Sequence, residues 1–248
     1  MLKPSFFRER ARRSLSGSWK TSVLATFVSF LTGGLGCFIP FSLCIFYHGA
    51  TFLQPHLEGY AGLYQICDQI TYILGILYPF ALVYGILMLL IGSVVKLGTC
   101  SYFCELMLGH HVSVGTLFSQ FSVFGKALAL KLVILIKVLL WSCLFIVPGI
   151  MAAYRYHLAP YILAENNNTG ILEAIKLSSQ MMKRKKKYLF TLHLSFIGWF
   201  LLGIVTCGIG FLWISPYIQS SYAAFYIELS GQNKPFENYA NYNSPDFL

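Results

Sequence analysis

Between Lys20 and Lys96 the chain has neither lysine nor arginine. Charge is scarce throughout: 11% of its 248 residues are Asp, Glu, Lys or Arg, and only 9 of those are acidic. A soluble domain covers its surface with about a quarter charged residues, so this composition excludes an ordinary soluble globule. The seven cysteines (Cys37, Cys44, Cys67, Cys100, Cys104, Cys143 and Cys207) are odd in number and form no CxxC pair. That excludes a disulfide framework and a zinc knuckle, and most of them fall in apolar stretches where a thiol packs as a small hydrophobe. Nucleophile elbow, phosphate loop, HExxH and dinucleotide fingerprint are all missing, so neither an enzyme nor a cofactor is expected. His110 and His111 lie near Cys100, Cys104 and Glu105 in sequence, but they follow a glycine that leaves their direction open, and no metal site is expected there.

What the chain does have is apolar length. Hydrophobic residues make up 56% and aromatics 17%. Runs such as Leu77 to Val95 approach the roughly 20 residues needed to cross about 30 Å of hydrocarbon. The expected fold is an all-α polytopic membrane domain that occupies the whole chain. The N-terminal basic region is too long for a cleaved signal peptide and lacks a small-residue cleavage site, so the first apolar segment is expected to remain as a helix.

Positive charge is clustered. Lys3, Arg8, Arg10, Arg12, Arg13 and Lys20 precede the first apolar segment, and Lys183, Arg184, Lys185, Lys186 and Lys187 precede the last apolar stretch. Clusters of this kind mark cytoplasmic flanks. They fit anionic lipid headgroups better than nucleic acid, and no nucleic-acid partner is expected.

Spans are expected at about 19–46, 70–95, 127–147, 149–165, 188–205 and 209–229, with amphipathic interfacial helices at about 5–18 and 169–187. The segment holding His56, Glu58 and Asp68 reads as an outer loop. The fourth span decides the topology. The third ends outside at Pro148-Gly149, whereas the basic run from Lys183 belongs inside, so the chain between them has to cross back. One arginine in a span costs about 2.5–3.5 kcal/mol, and translocating five adjacent cations is worse. Six spans in three hairpins follow, with both termini cytoplasmic. The alternative has four spans, with 149–187 on the surface. Thr32 to Gly36 (TGGLG) and Thr206 to Gly210 (TCGIG) share a pattern that fits repeated hairpins.

Several motifs carry a family resemblance: Trp141 to Gly149 as W-x(6)-PG, "APYILAEN", "EAIKLS…MM", "IGWFLLG…GIGFLWISPY" and the N-terminal "RARRSLSGSWKTSV". The chain resembles the bacterial membrane family catalogued as domain-of-unknown-function 975 over nearly its whole length, apart from about 49–70 and the tail. The resemblance implies a multi-pass protein of the bacterial cytoplasmic membrane with no established activity. More distantly, the chain is similar to the membrane domain fused to some glycerophosphodiester phosphodiesterases, although it has no room for their catalytic barrel.

Two constellations stand out. Lys137, about 15 Å into the third span at 1.5 Å per residue, is expected to line a polar intramembrane site with Arg155, His157 and His193. Glu105, Glu165 and Glu228 each sit near the C-terminal end of a helix, where the macrodipole disfavours a carboxylate; Lys126, Lys131 and Lys176 are the expected compensating cations at the inner face. The first expectation for function is transport or lipid handling through the polar site. The other is a non-catalytic accessory role (scaffold, immunity or envelope-stress component) exercised through a protein partner. An intramembrane enzyme is least expected, because no nucleophile–base set is visible.

Overall fold

The computed structural model describes residues 4–57, 60–206 and 208–231. Lys3, Glu58, Cys207 and Lys234 lie outside these residues. Among the described residues every element is helical. In order they are α1 (Pro4–Leu15), α2 (Trp19–Ser29), a π-helical turn (Phe30–Leu35), α3 (Gly36–Leu53), a 3-10 turn (Gln54–Leu57) and α4 (Ala61–Met107). Two 3-10 turns (Val114–Leu117 and Ser119–Val123) lead into α5 (Phe124–Leu144), α6 (Ile146–Tyr156) and α7 (Ala159–Glu165). The chain continues as α8 (Ile171–Met181), α9 (Lys186–Leu194), α10 (Ile197–Val205) and α11 (Phe211–Ser230).

Three stretches, Gly62–Met107, Val114–Leu144 and Lys186–Val205, are long and apolar enough to cross a membrane by length and composition. Their most apolar windows are only 6%, 11% and 22% buried. Water does not tolerate that much contiguous exposed hydrocarbon, so the pattern is compatible with a membrane protein.

The chain divides into two compact units, residues 29–93 and residues 1–28 with 94–248. In the first, α3 and the start of α4 form an antiparallel hairpin. Tyr47 stacks on Tyr78 with centroids 5.3 Å apart, and Gln54 donates to Asp68 at 2.8 Å. The outer loop expected from the sequence is therefore shorter: α3 continues to Leu53 and α4 starts at Ala61, which places Asp68 on a helix. The cross-hairpin pairs extend both helices through residues that look loop-like in isolation.

The second unit has a packed base and an apolar surface above it. The base gathers Phe7, Ala11 and Leu15 of α1, Leu97, Tyr102, Phe103 and Met107 of α4, Leu163 of α7 and Phe225 of α11, all at most 2% exposed. Phe7 meets Phe225 edge-on at 5.4 Å and, one turn later in both helices, Arg10 meets Glu228, so α1 and α11 run parallel. The turn at Val114–Leu117 presses its backbone onto Gly98, where a Cβ would lie 2.0 Å from the Leu117 carbonyl oxygen. Above the base, Leu135, Ile136, Leu139, Leu140, Val147 and Ile150 are exposed, as are Phe200, Leu201, Leu202 and Ile204.

Two hairpins rise through this zone. Ser142 abuts Gly149, Lys137 Nζ lies 5.7 Å over the Tyr156 ring, and Lys126 Nζ donates to the Asn167 carbonyl at 2.7 Å. Each pair steps down α5 as it steps up the returning chain, so residues 146–165 follow α5 back along its length. The second hairpin, α9–α10 with α11, is fixed by Phe200 on Phe211 (5.1 Å), Phe196 on Tyr217 (5.4 Å) and His193 on Tyr222 (5.0 Å).

The amphipathic helix expected over 169–187 is interrupted. α8 ends at Met181, and Lys183 to Lys185 turn a corner in which Arg184 has a φ of +63°. Fully buried Met182 and Leu189 hold the corner from both sides. The buried stripe of α8 is Ala174, Ile175 and Ser178, while Leu172 is exposed.

Candidate functional site

Pro160 has no N–H to donate to the Tyr156 carbonyl, so α6 stops at Tyr156 and α7 restarts at Ala159. His157 sits in the break. Its ring lies 6.1 Å from that of His193 on α9, at an interplanar angle of 85°. Tyr222 of α11 closes the triangle, 5.0 Å from each histidine ring. Tyr161 stacks on His157 at 6.3 Å, and Tyr154 meets His193 edge-on at 5.3 Å.

The hydrogen bonds define part of the chemistry. His193 Nδ1 lies 2.9 Å from the Leu189 carbonyl. A carbonyl only accepts, so Nδ1 carries the proton and Nε2 presents a lone pair when the ring is neutral. His157 Nδ1 is buried with no hydrogen-bond partner. An unsatisfied buried nitrogen of this kind costs about 1–3 kcal/mol. The arrangement can take up or pass a proton, or receive a polar group of a ligand, between two helical hairpins.

The structure brings His157 and His193 together and gives Lys137 a different neighbour. Lys137 takes the Tyr156 ring, a cation–π contact within the α5–α6 hairpin. The Arg155 carbonyl accepts from Ser178 Oγ at 2.9 Å, which ties α6 to α8.

The acidic residues separate in the same way. Glu228 meets Arg10 at 3.8 Å, Glu165 accepts a hydrogen bond from the Tyr226 hydroxyl, and Glu105 accepts from Ser101 at 3.3 Å. Of the three lysines expected beside them, Lys126 donates to Asn167, Lys131 is half-buried on α5 and Lys176 is exposed on α8. A cation at Glu228 is an arginine from the N-terminal helix. A signal for it was present: Arg10 falls on the same face as Phe7, Ala11 and Leu15, where a charge needs a partner. Burial pulls the Arg10 guanidinium below its usual value, and Glu228 opposes the shift.

In the basic run, Lys183, Arg184 and Lys187 are exposed, Lys185 and Lys186 are half-buried, and Lys185 Nζ lies 5.5 Å over the Tyr188 ring. Among the described residues no group of three or more His, Cys, Asp or Glu side chains is arranged to hold a metal ion.

Residues 144–233 match the family model described as Protein of unknown function (DUF975). The match starts at the last residue of α5 and runs past the end of α11, so it contains both histidines and the basic corner. No curated protein and no solved structure matches the chain. The distant similarity to the membrane domain of glycerophosphodiester phosphodiesterases is not shown.

Proposed function

We propose that this DUF975 protein is a six-pass protein of the bacterial cytoplasmic membrane that transports a solute or handles lipid through the His157–His193 site. The observation that carries the reading is the meeting of the two histidines, from different hairpins, under Tyr222. Ionisable groups among lipid-facing helices are costly and commonly mark pathways.

The topology draws support from the α5 hairpin. Residues 146–165, twenty at about 1.5 Å each, reach about the 30 Å of a hydrocarbon core. A chain that retraces α5 shares its surroundings. With both termini in the cytoplasm, Lys183 to Lys187 lie at the inner face, where anionic headgroups attract them at about 1 kcal/mol per cation.

The experiment is reconstitution. Vesicles containing the protein, loaded with a pH-sensitive dye or a fluorescent phospholipid, should show proton-linked flux or lipid exchange above protein-free vesicles. His157→Leu and His193→Leu should each return it to the protein-free level while the protein still elutes as a single folded species. Wild-type vesicles indistinguishable from protein-free ones would leave the accessory reading. That reading, a scaffold, immunity or envelope-stress component acting on a protein partner, is favoured by how fully Tyr154, Tyr161 and Tyr222 surround the histidines.

A further inference from the structure

The unit formed by residues 29–93 carries an open groove lined by Tyr47 of α3 and by Asp68, Thr71, Tyr72, Gly75 and Ile76 of α4, among others. The Tyr47 ring packs against α4 at Gly75, where a Cβ would meet Tyr47 Cε2 at an ordinary 3.5 Å. Tyr78 stacks on Tyr47 at 5.3 Å, and Tyr47 also lines the groove.

The charge of this unit is one-sided. Residues 29–93 contain no lysine or arginine, and Asp68 is their only described carboxylate. Its Oδ1 accepts from Gln54 Nε2 at 2.8 Å, a neutral bond that orients the carboxylate without neutralising it. A single carboxylate among the described residues is poorly suited to a metal: calcium takes six to eight oxygens, and even magnesium, held by one or two carboxylates, needs near-octahedral oxygen geometry. It suits a bulky cation with diffuse charge, because tyrosine faces attract cations and quaternary ammonium groups are recognised in this way.

We propose that the groove at Asp68 binds an organic ammonium group, with Asp68 as the counter-charge and Tyr47 and Tyr72 as its aromatic neighbours. The group belongs either to a free alkylammonium ion or to an amine-bearing lipid headgroup; Ile76, which lines the groove and is exposed, offers an apolar surface to any attached chain. The site is independent of His157 and His193, so it stands or falls apart from the function proposed above.

Two binding arms separate the sources. Full-length protein in detergent is titrated with tetraethylammonium and followed by tyrosine fluorescence. The same protein in nanodiscs with or without phosphatidylethanolamine is examined by native mass spectrometry for retained lipid. Saturable binding in either arm, weakened roughly tenfold or more by Asp68→Asn and several-fold by Tyr72→Leu, is expected. The titration arm would identify a free cation and the nanodisc arm a headgroup. Asp68 is exposed, so the asparagine variant should elute and melt like wild type. No binding in either arm, or binding that Asp68→Asn leaves unchanged, overturns the proposal.

Discussion

Gly149→Val should open the hairpin between α5 and α6 and lower the melting temperature of the purified protein by about 5–10 °C. The reason is local. A Cβ at position 149 would lie 2.1 Å from Ser142 Oγ and 2.9 Å from Ser142 Cα. The hydroxyl can rotate away but the backbone carbon cannot, so the helices must separate. Overpacking of this kind costs about 1–3 kcal/mol, and a β-branched side chain puts the effect towards the upper end. The pair is also testable as a cycle. Ser142→Gly with Gly149→Ala should recover only the part of the loss that the hydroxymethyl group causes, because the new methyl group still meets the residue-142 Cα at 2.9 Å. A Gly149→Val protein that melts with the wild type would show that the two helices do not approach as closely as described.

The second large effect is expected at the base. Glu228→Ala removes the carboxylate that offsets burial of the Arg10 guanidinium, whose residue is only 4% exposed. Breaking a buried pair from one side costs about 3–5 kcal/mol; Glu228 is 20% exposed in its side chain, so about 2–3 kcal/mol is expected here. The loss should localise to α1, and tryptic cleavage after Arg12 and Arg13 should accelerate as the helix leaves α11. Arg10→Met combined with Glu228→Leu replaces both charges by apolar groups and should restore protection. If cleavage is equally slow in Glu228→Ala, the pair does not anchor the N-terminal helix.

Much of this architecture is legible in the sequence. Low charge and long apolar runs point to an all-helical chain, and the stretches within Gly62–Met107 and Lys186–Val205 announce themselves by hydropathy alone. The basic face of α1 is visible as periodicity. Other features depend on contacts between residues far apart in sequence. Tyr78 stacking on Tyr47 draws α3 and α4 through a segment that reads as loop. The corner at Lys183 to Lys185 contains no glycine or proline; it is set by the burial of Met182 and Leu189 on either side. Arg10 and Glu228 sit near opposite ends of the chain.

The site is half visible for the same reason. Histidines in apolar stretches single out His157 and His193. That they meet follows from the Pro160 break and from the way α11 brings Tyr222 against both. By depth alone Lys137 belongs with them. Depth along a helix says nothing about azimuth, and the Tyr156 ring lies on the side that Lys137 faces.

In the six-pass arrangement proposed, the chain recrosses the bilayer directly after α5 and α8 lies in the cytoplasm. The decisive measurement is thiol labelling of Gln180→Cys on α8, in an otherwise cysteine-free chain in intact cells. A membrane-impermeant maleimide should leave the residue unmodified until the cells are permeabilised. Labelling from outside, before permeabilisation, would mean that residues 146–165 stay on one side and would contradict the six-pass arrangement.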